Sequence, residues 1–126
     1  VSHDTVDAIN RRMIREIEHL GGRIEAIAYC PHRPEEHCDC RKPQPGLLLR
    51  LARTYDIELR ETVVIGDALS DIEAGQAAGC QAILVLTGRG TEQFALAAAT
   101  GKNGFLVATD LAAAVELLLQ RSTAVA

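Results

Sequence analysis

Apolar positions recur along the chain with two different periods. Over residues 4–20, Val6, Ile9, Met13, Ile17 and Leu20 step by three and four, which predicts an amphipathic helix with one apolar face. Asp4 is the expected N-cap, Asp7 adds negative charge to the first turn, and Gly21-Gly22 ends the helix. Ile24 to Tyr29 reads as a short buried strand that delivers Cys30 at its carboxyl end. Pro45-Gly46 opens a second helix to about Tyr55, with Leu47, Leu48, Leu51 and Ala52 as core candidates. The run Thr62–Ile65 is a predicted strand, followed by a helix from about Ser70 to Ala78 that closes on Gly79. A strand over Ala82–Leu86, a helix from about Glu92 to Ala99, and a last strand over Phe105–Ala108 continue the series. Asp110 caps a terminal helix to about Gln120, and the tail from Arg121 to Ala126 is expected to fray.

Helix and strand alternate throughout, and that order predicts an α/β fold, a parallel, Rossmann-like sheet flanked by helices with right-handed crossovers. No internal repeat or low-complexity linker divides the chain, so its 126 residues are expected to share one domain. The chain begins Val1-Ser-His-Asp, directly at the edge of a helix and without an initiator Met. It reads as part of something longer.

Composition narrows the function classes. A net charge of −4 gives no general attraction for nucleic acid or an anionic membrane, so any anion binding must be local. No apolar run is long enough to span a bilayer, and no stretch reads as a signal peptide. With three cysteines clustered as free thiols would be, the expected compartment is a reducing cytoplasm.

The cluster lies in Cys30-Pro-His-Arg-Pro-Glu-Glu-His-Cys-Asp-Cys-Arg-Lys-Pro43. Cys30 and His32, then Cys38 and Cys40, form two pairs separated by one residue, and in an extended backbone both members of a pair point to the same side. Four soft or borderline ligands are the complement of a closed tetrahedral zinc site. Pro31 and Pro34 stiffen a loop short enough to fold back around one ion. Disulfides and incidental loop cysteines are the competing readings, and His37 is a competing ligand to His32. Four protein ligands leave no open position, so such a zinc is structural and its loop serves to present Arg41 and Lys42.

In open parallel sheets, ligands gather at the carboxyl ends of the strands, where several unusual residues fall. Asp67 stands at the tip of the Val63-Val64-Ile65 strand, with Asp71 four residues later at a helix start. Asp67 offers the hard oxygen that Mg²⁺ prefers, and Asp71 can support it or simply cap the helix; an ordinary Gly-Asp turn is the plain alternative. Lys42 suits a phosphate as a mobile point charge and Arg41 as a bidentate fork, unless the pair is merely solvated. Thr87-Gly-Arg-Gly-Thr91 lacks the third glycine of a dinucleotide fingerprint and does not follow the first strand, so it reads as a turn, with contact to a ligand as the alternative. Cys80 reads as a buried small hydrophobe, and His3 and His19 as surface residues.

Cys30-Pro-His32, Cys38-Asp-Cys40-Arg41-Lys42-Pro43 and Gly66-Asp67 with Asp71 together resemble the haloacid dehalogenase superfamily of phosphatases. Within it they are similar to the D-glycero-D-manno-heptose 1,7-bisphosphate phosphatases and the related histidinol-phosphate phosphatases, and Pro43-Gln-Pro-Gly-Leu-Leu is more like the former. The resemblance implies a haloacid dehalogenase-like fold and phosphoryl transfer through an aspartyl-phosphate. It makes Lys42 the phosphate-stabilising lysine, Asp67 the magnesium ligand, Asp71 its supporting carboxylate and Arg41 a substrate-recognising residue. The superfamily's nucleophile lies in Asp-x-Asp-Gly-Thr after the first strand, and its second motif is a Thr or Ser followed by Asn after the second strand; neither occurs here. The strand at Ile24–Tyr29 would then be the third of the superfamily's sheet, with the central strands in a segment ahead of Val1. Residues 1–126 alone are therefore expected to be inactive and to depend on that segment or on self-association. A non-catalytic zinc-stabilised module is the alternative from another class. A zinc-ribbon-like nucleic-acid binder fits poorly, because aromatics make up 3% of the chain and none accompanies the basic residues.

Overall fold

A computed structural model of the chain describes residues 2–30 and 33–124. Among them, three strands form one sheet: β1 (Val63–Gly66), β2 (Gln81–Val85) and β3 (Leu106–Ala108), in the order β1-β2-β3 and all parallel. The register pairs Ile65 with Ile83 and Gly66 with Leu84, then Leu84 with Val107 and Val85 with Ala108. The helices are α1 (His3–His19), α2 (Gly46–Tyr55), α3 (Leu69–Ala78), α4 (Gly90–Thr100) and α5 (Leu111–Ala124).

Side chains alternate across a strand, so β2 feeds two cores. Ile83 and Val85 meet Ala108 of β3 and Ala114 of α5 on one face, with Val63, Ile65, Leu117 and Leu118 packed around them. Ala82 and Leu84 meet Ile72 of α3 on the other, with Phe105 beside them. Helices thus cover both faces of a parallel sheet, as the alternation of elements predicts. Strand ends and helix ends differ by a residue or two from expectation. The last helix runs on to Ala124, through residues expected to fray, while Val125 and Ala126 lie outside the described residues.

The N-terminal part departs further. Ile24–Tyr29 is not a strand: no described strand lies beside it to bond, so it carries no ladder, and Ile27 and Tyr29 are exposed. Ser2, not Asp4, caps α1; its Oγ accepts from the Thr5 N–H at 3.1 Å, because the helix begins one residue earlier than expected. No residue of α1 is fully buried, and Ile9, Met13 and Leu20 of its expected core face are exposed. A side-chain hydrogen bond, His3 Nδ1 to Tyr29 Oη at 2.8 Å, links α1 to the extended segment.

Candidate active site and cysteine cluster

The cysteine loop is anchored on α2. The Gly46 N–H donates to the Asp39 carbonyl at 2.8 Å, and Arg50 Nη2 donates to Asp39 Oδ1 at 2.9 Å. The Cys40 sulfur and then the Asp39 charge hold the Arg50 guanidinium above its ordinary protonation range, against the opposing effect of burial. Cys40 is fully buried, and the start of α2 holds the Cys-Asp-Cys sequence through the backbone and the side chain of Asp39.

The sulfurs of Cys30, Cys38 and Cys40 gather within 4.8 Å of one another. Cys30 Sγ lies 3.3 Å from Cys38 Sγ and 2.9 Å from Cys40 Sγ. Three convergent soft donors are a set that could hold a metal ion. Burial pushes the Cys38 thiol up, but hydrogen bonds from the Cys30 and Cys40 thiols and from the Cys40 and Arg41 N–H groups outweigh it, bringing it from an ordinary 9.0 to about 7. His32 lies outside the described residues. His37 is exposed, at φ +51°, and is not among the side chains that converge on the sulfurs.

Beyond Cys40 the chain turns, the Gln44 N–H donating to the Arg41 carbonyl at 2.9 Å. Arg41 and Lys42 face a cavity of about 280 Å³ together with His37, Cys38, Pro43 and Gln44. Lys42 Nζ donates to Asp71 Oδ1, which couples the loop to the first turn of α3. Gly66, at the end of β1, makes room for that carboxylate: a Cβ there would stand 2.3 Å from Asp71 Oδ2.

Asp67 follows at once. Its Oδ2 accepts from the Arg89 backbone N–H at 3.1 Å, so the turn after β2 closes over the carboxylate at the tip of β1. Two further contacts that sequence reasoning missed hold this corner. Gln93, buried in α4, accepts from the Leu69 N–H at 2.9 Å and satisfies the first amide of α3, which has no side-chain cap. Gly88 adopts φ +56° against Asp67. The only signal for Gln93 was a polar residue inside an alanine-rich apolar helix. Of the residues singled out, Lys42 and Asp71 are joined directly, Asp67 joins the Gly88–Arg89 turn, and Arg41 lines the adjoining cavity. Cys80 is buried, and burial raises its thiol as expected of a small core residue.

A carboxylate at the tip of a parallel strand, a second one four residues on, and a lysine bonded to it from a preceding loop define a class. The model of the HAD-hydrolase-like family matches residues 39–114, more than half of the chain, and the chain belongs to that family. It is 42% identical over 118 residues to the D-glycero-beta-D-manno-heptose-1,7-bisphosphate 7-phosphatase of Bordetella bronchiseptica, covering 94% of this chain and 65% of that protein. The Pseudomonas aeruginosa enzyme of the same name is 38% identical over 118 residues, covering 91% of this chain and 63% of that protein. The crystal structure of the B. bronchiseptica D,D-heptose 1,7-bisphosphate phosphatase, complexed with magnesium and phosphate, superposes with a TM-score of 0.86 at 41% identity. That match covers 95% of this chain and 66% of the other. The chain thus spans slightly less than two thirds of the length of these relatives. Among the described residues no helix is long and apolar enough to cross a membrane.

Proposed function

We propose that the polypeptide containing this chain is a magnesium-dependent phosphatase of a sugar phosphate, D-glycero-D-manno-heptose 1,7-bisphosphate, and that residues 1–126 are the C-terminal portion of its single catalytic domain. One observation carries the reading. The cysteine loop delivers Lys42 to Asp71, while Asp67, directly after β1, is held by the Arg89 N–H, in a chain more than 40% identical to a phosphatase crystallised with magnesium and phosphate.

The residues fit the roles. Asp67 offers a hard oxygen donor, with one carboxylate oxygen held by a backbone amide, so it suits Mg²⁺, which neutralises phosphoryl oxygens when bound. Asp71 is the supporting carboxylate: it holds Lys42 so that the ammonium faces the transferring phosphoryl group and stabilises the charge that develops there. Arg41, on the cavity wall, gives a bidentate fork for the substrate. The attacking and proton-transferring aspartates of an aspartyl-phosphate mechanism are not among residues 1–126, which contain no Asp-x-Asp sequence. These 126 residues alone are expected to show no turnover, and the complete polypeptide to hydrolyse the substrate.

Zinc is the metal proposed for the cysteines, with His32 as fourth ligand. At about 2.3 Å per Zn–S bond, tetrahedral sulfurs stand about 3.8 Å apart, so the cluster need open by less than about 1 Å. Such a closed site braces Arg41 and Lys42 and does no chemistry. Clustered cysteines of metal-binding type also suit a reducing compartment, and the cytoplasm is the proposed location.

Turnover of the complete polypeptide on heptose 1,7-bisphosphate and on histidinol phosphate tests the substrate. At least tenfold higher kcat/KM on the heptose is expected; preference for histidinol phosphate would overturn the choice, and no turnover on either would leave a non-catalytic module. Elemental analysis of reduced, metal-replete protein should find one zinc per chain, and its absence would defeat the proposed brace.

A further inference from the structure

We propose that the Thr87–Gly90 turn is the positioning element of Asp67, and that it works through backbone atoms while the Arg89 side chain takes no part. The inference rests on the reading of Asp67 as a divalent-cation ligand given above. Both contacts fall on the same oxygen. The Arg89 N–H donates to Asp67 Oδ2 at 3.1 Å, and a Cβ on Gly88 would lie 2.4 Å from that oxygen. Gly88 sits at φ +56°, a conformation that side-chain-bearing residues adopt at a cost.

The turn itself is held at both ends. The Gly90 N–H donates to the Thr87 carbonyl at 2.9 Å, and Thr91 Oγ1 donates to the Leu86 carbonyl at 3.2 Å. Gly90 is buried with its α-carbon against β2, where a Cβ would meet the Val85 carbonyl at 1.8 Å. The amide that meets Asp67 therefore moves only if the end of β2 and the start of α4 move with it. A carboxylate tied by one oxygen presents the other in a set direction. That matters for Mg²⁺, which demands near-ideal octahedral geometry, and partners behind a ligand commonly change metal affinity by about 10–100-fold. The residue type at position 89 is then nearly irrelevant to cation binding, whereas its N–H and the missing Cβ at 88 are not.

The test is Mn²⁺ binding to the complete, zinc-replete polypeptide, followed by electron paramagnetic resonance, with thermal unfolding as the folding control. Arg89→Ala keeps the N–H and should leave the Mn²⁺ Kd within twofold. Arg89→Pro removes the N–H at an N-cap position with φ −84°, and Gly88→Ala fills the space; each should raise the Kd tenfold or more. Wild-type-like affinity in both, or equal losses in Arg89→Ala and Arg89→Pro, would overturn the proposal. Asp67→Asn separates the two levels. If it abolishes binding while Arg89→Pro and Gly88→Ala do not, the ligand assignment stands and the positioning role falls; if it leaves binding intact, both fall. Should neither variant fold, the wild-type Arg89 amide resonance decides. It should shift on Mg²⁺ titration, and a stationary resonance would overturn the proposal.

Discussion

Lys42 and Asp71 are unequally placed: the lysine side chain is 57% exposed and the carboxylate only 14%. The carboxylate is the member that needs a partner, and the ammonium keeps donors to spare for a phosphate. Replacing Lys42 by Ala should lower kcat of the complete polypeptide by about 100-fold or more, with a smaller change in KM, because the charge it stabilises develops in the transition state. Equal losses in KM and none in kcat would contradict that role. The cysteines make a second prediction, for metal-free protein. With Cys38 lowered to about 7 in the folded chain against 9.0 unfolded, the unfolded state binds more protons between those values. The Cys38 contribution to stability is therefore complete above about 9 and is lost as pH falls through about 7. Alkylation of Cys38 should show a midpoint near 7, well below an ordinary thiol, and a midpoint at the ordinary value would contradict it. The residue types were legible as candidates from spacing alone. Their partners were not, since Lys42 meets Asp71 across 29 positions and Asp67 meets Arg89 across 22.

Helices α2 to α5 were legible where a local start or stop signal marks them, such as Gly79 after α3 and Asp110 before α5. Asp110 Oδ1 accepts from the Ala113 N–H at 2.8 Å, as an N-cap should. The apolar period of α1 was equally legible, yet it identified no buried face, since periodicity reports what a helix can bury and not what lies beside it. The corner between β1 and α3 shows the same limit. Ala68 has no capping side chain, so α3 borrows Gln93 from α4. Gln93→Ala would leave the Leu69 N–H buried without a partner and should cost about 1–3 kcal/mol in urea unfolding. A variant as stable as wild type would show that the amide finds another acceptor.

The described residues hold three strands, two packed faces and an extended segment without a ladder. Among the described residues β1 is a sheet edge, and Ile9, Met13, Leu20, Ile27 and Tyr29 remain exposed on α1 and the segment that follows it. Exposed apolar surface and an open edge favour pairing with another chain. Residues 1–126 produced alone should therefore associate as concentration rises in sedimentation velocity; a monomer throughout the micromolar range would contradict this. By itself the sequence determined the α/β alternation, the clustering of Cys30, Cys38 and Cys40 and the strand-tip aspartate, all of which depend on neighbours within a few positions. Only the tertiary structure decided which carboxylate meets Lys42, which turn clasps Asp67, and that Ile24–Tyr29 has no ladder. Those outcomes depend on groups distant in sequence, and a strand exists only where another strand supplies its hydrogen bonds.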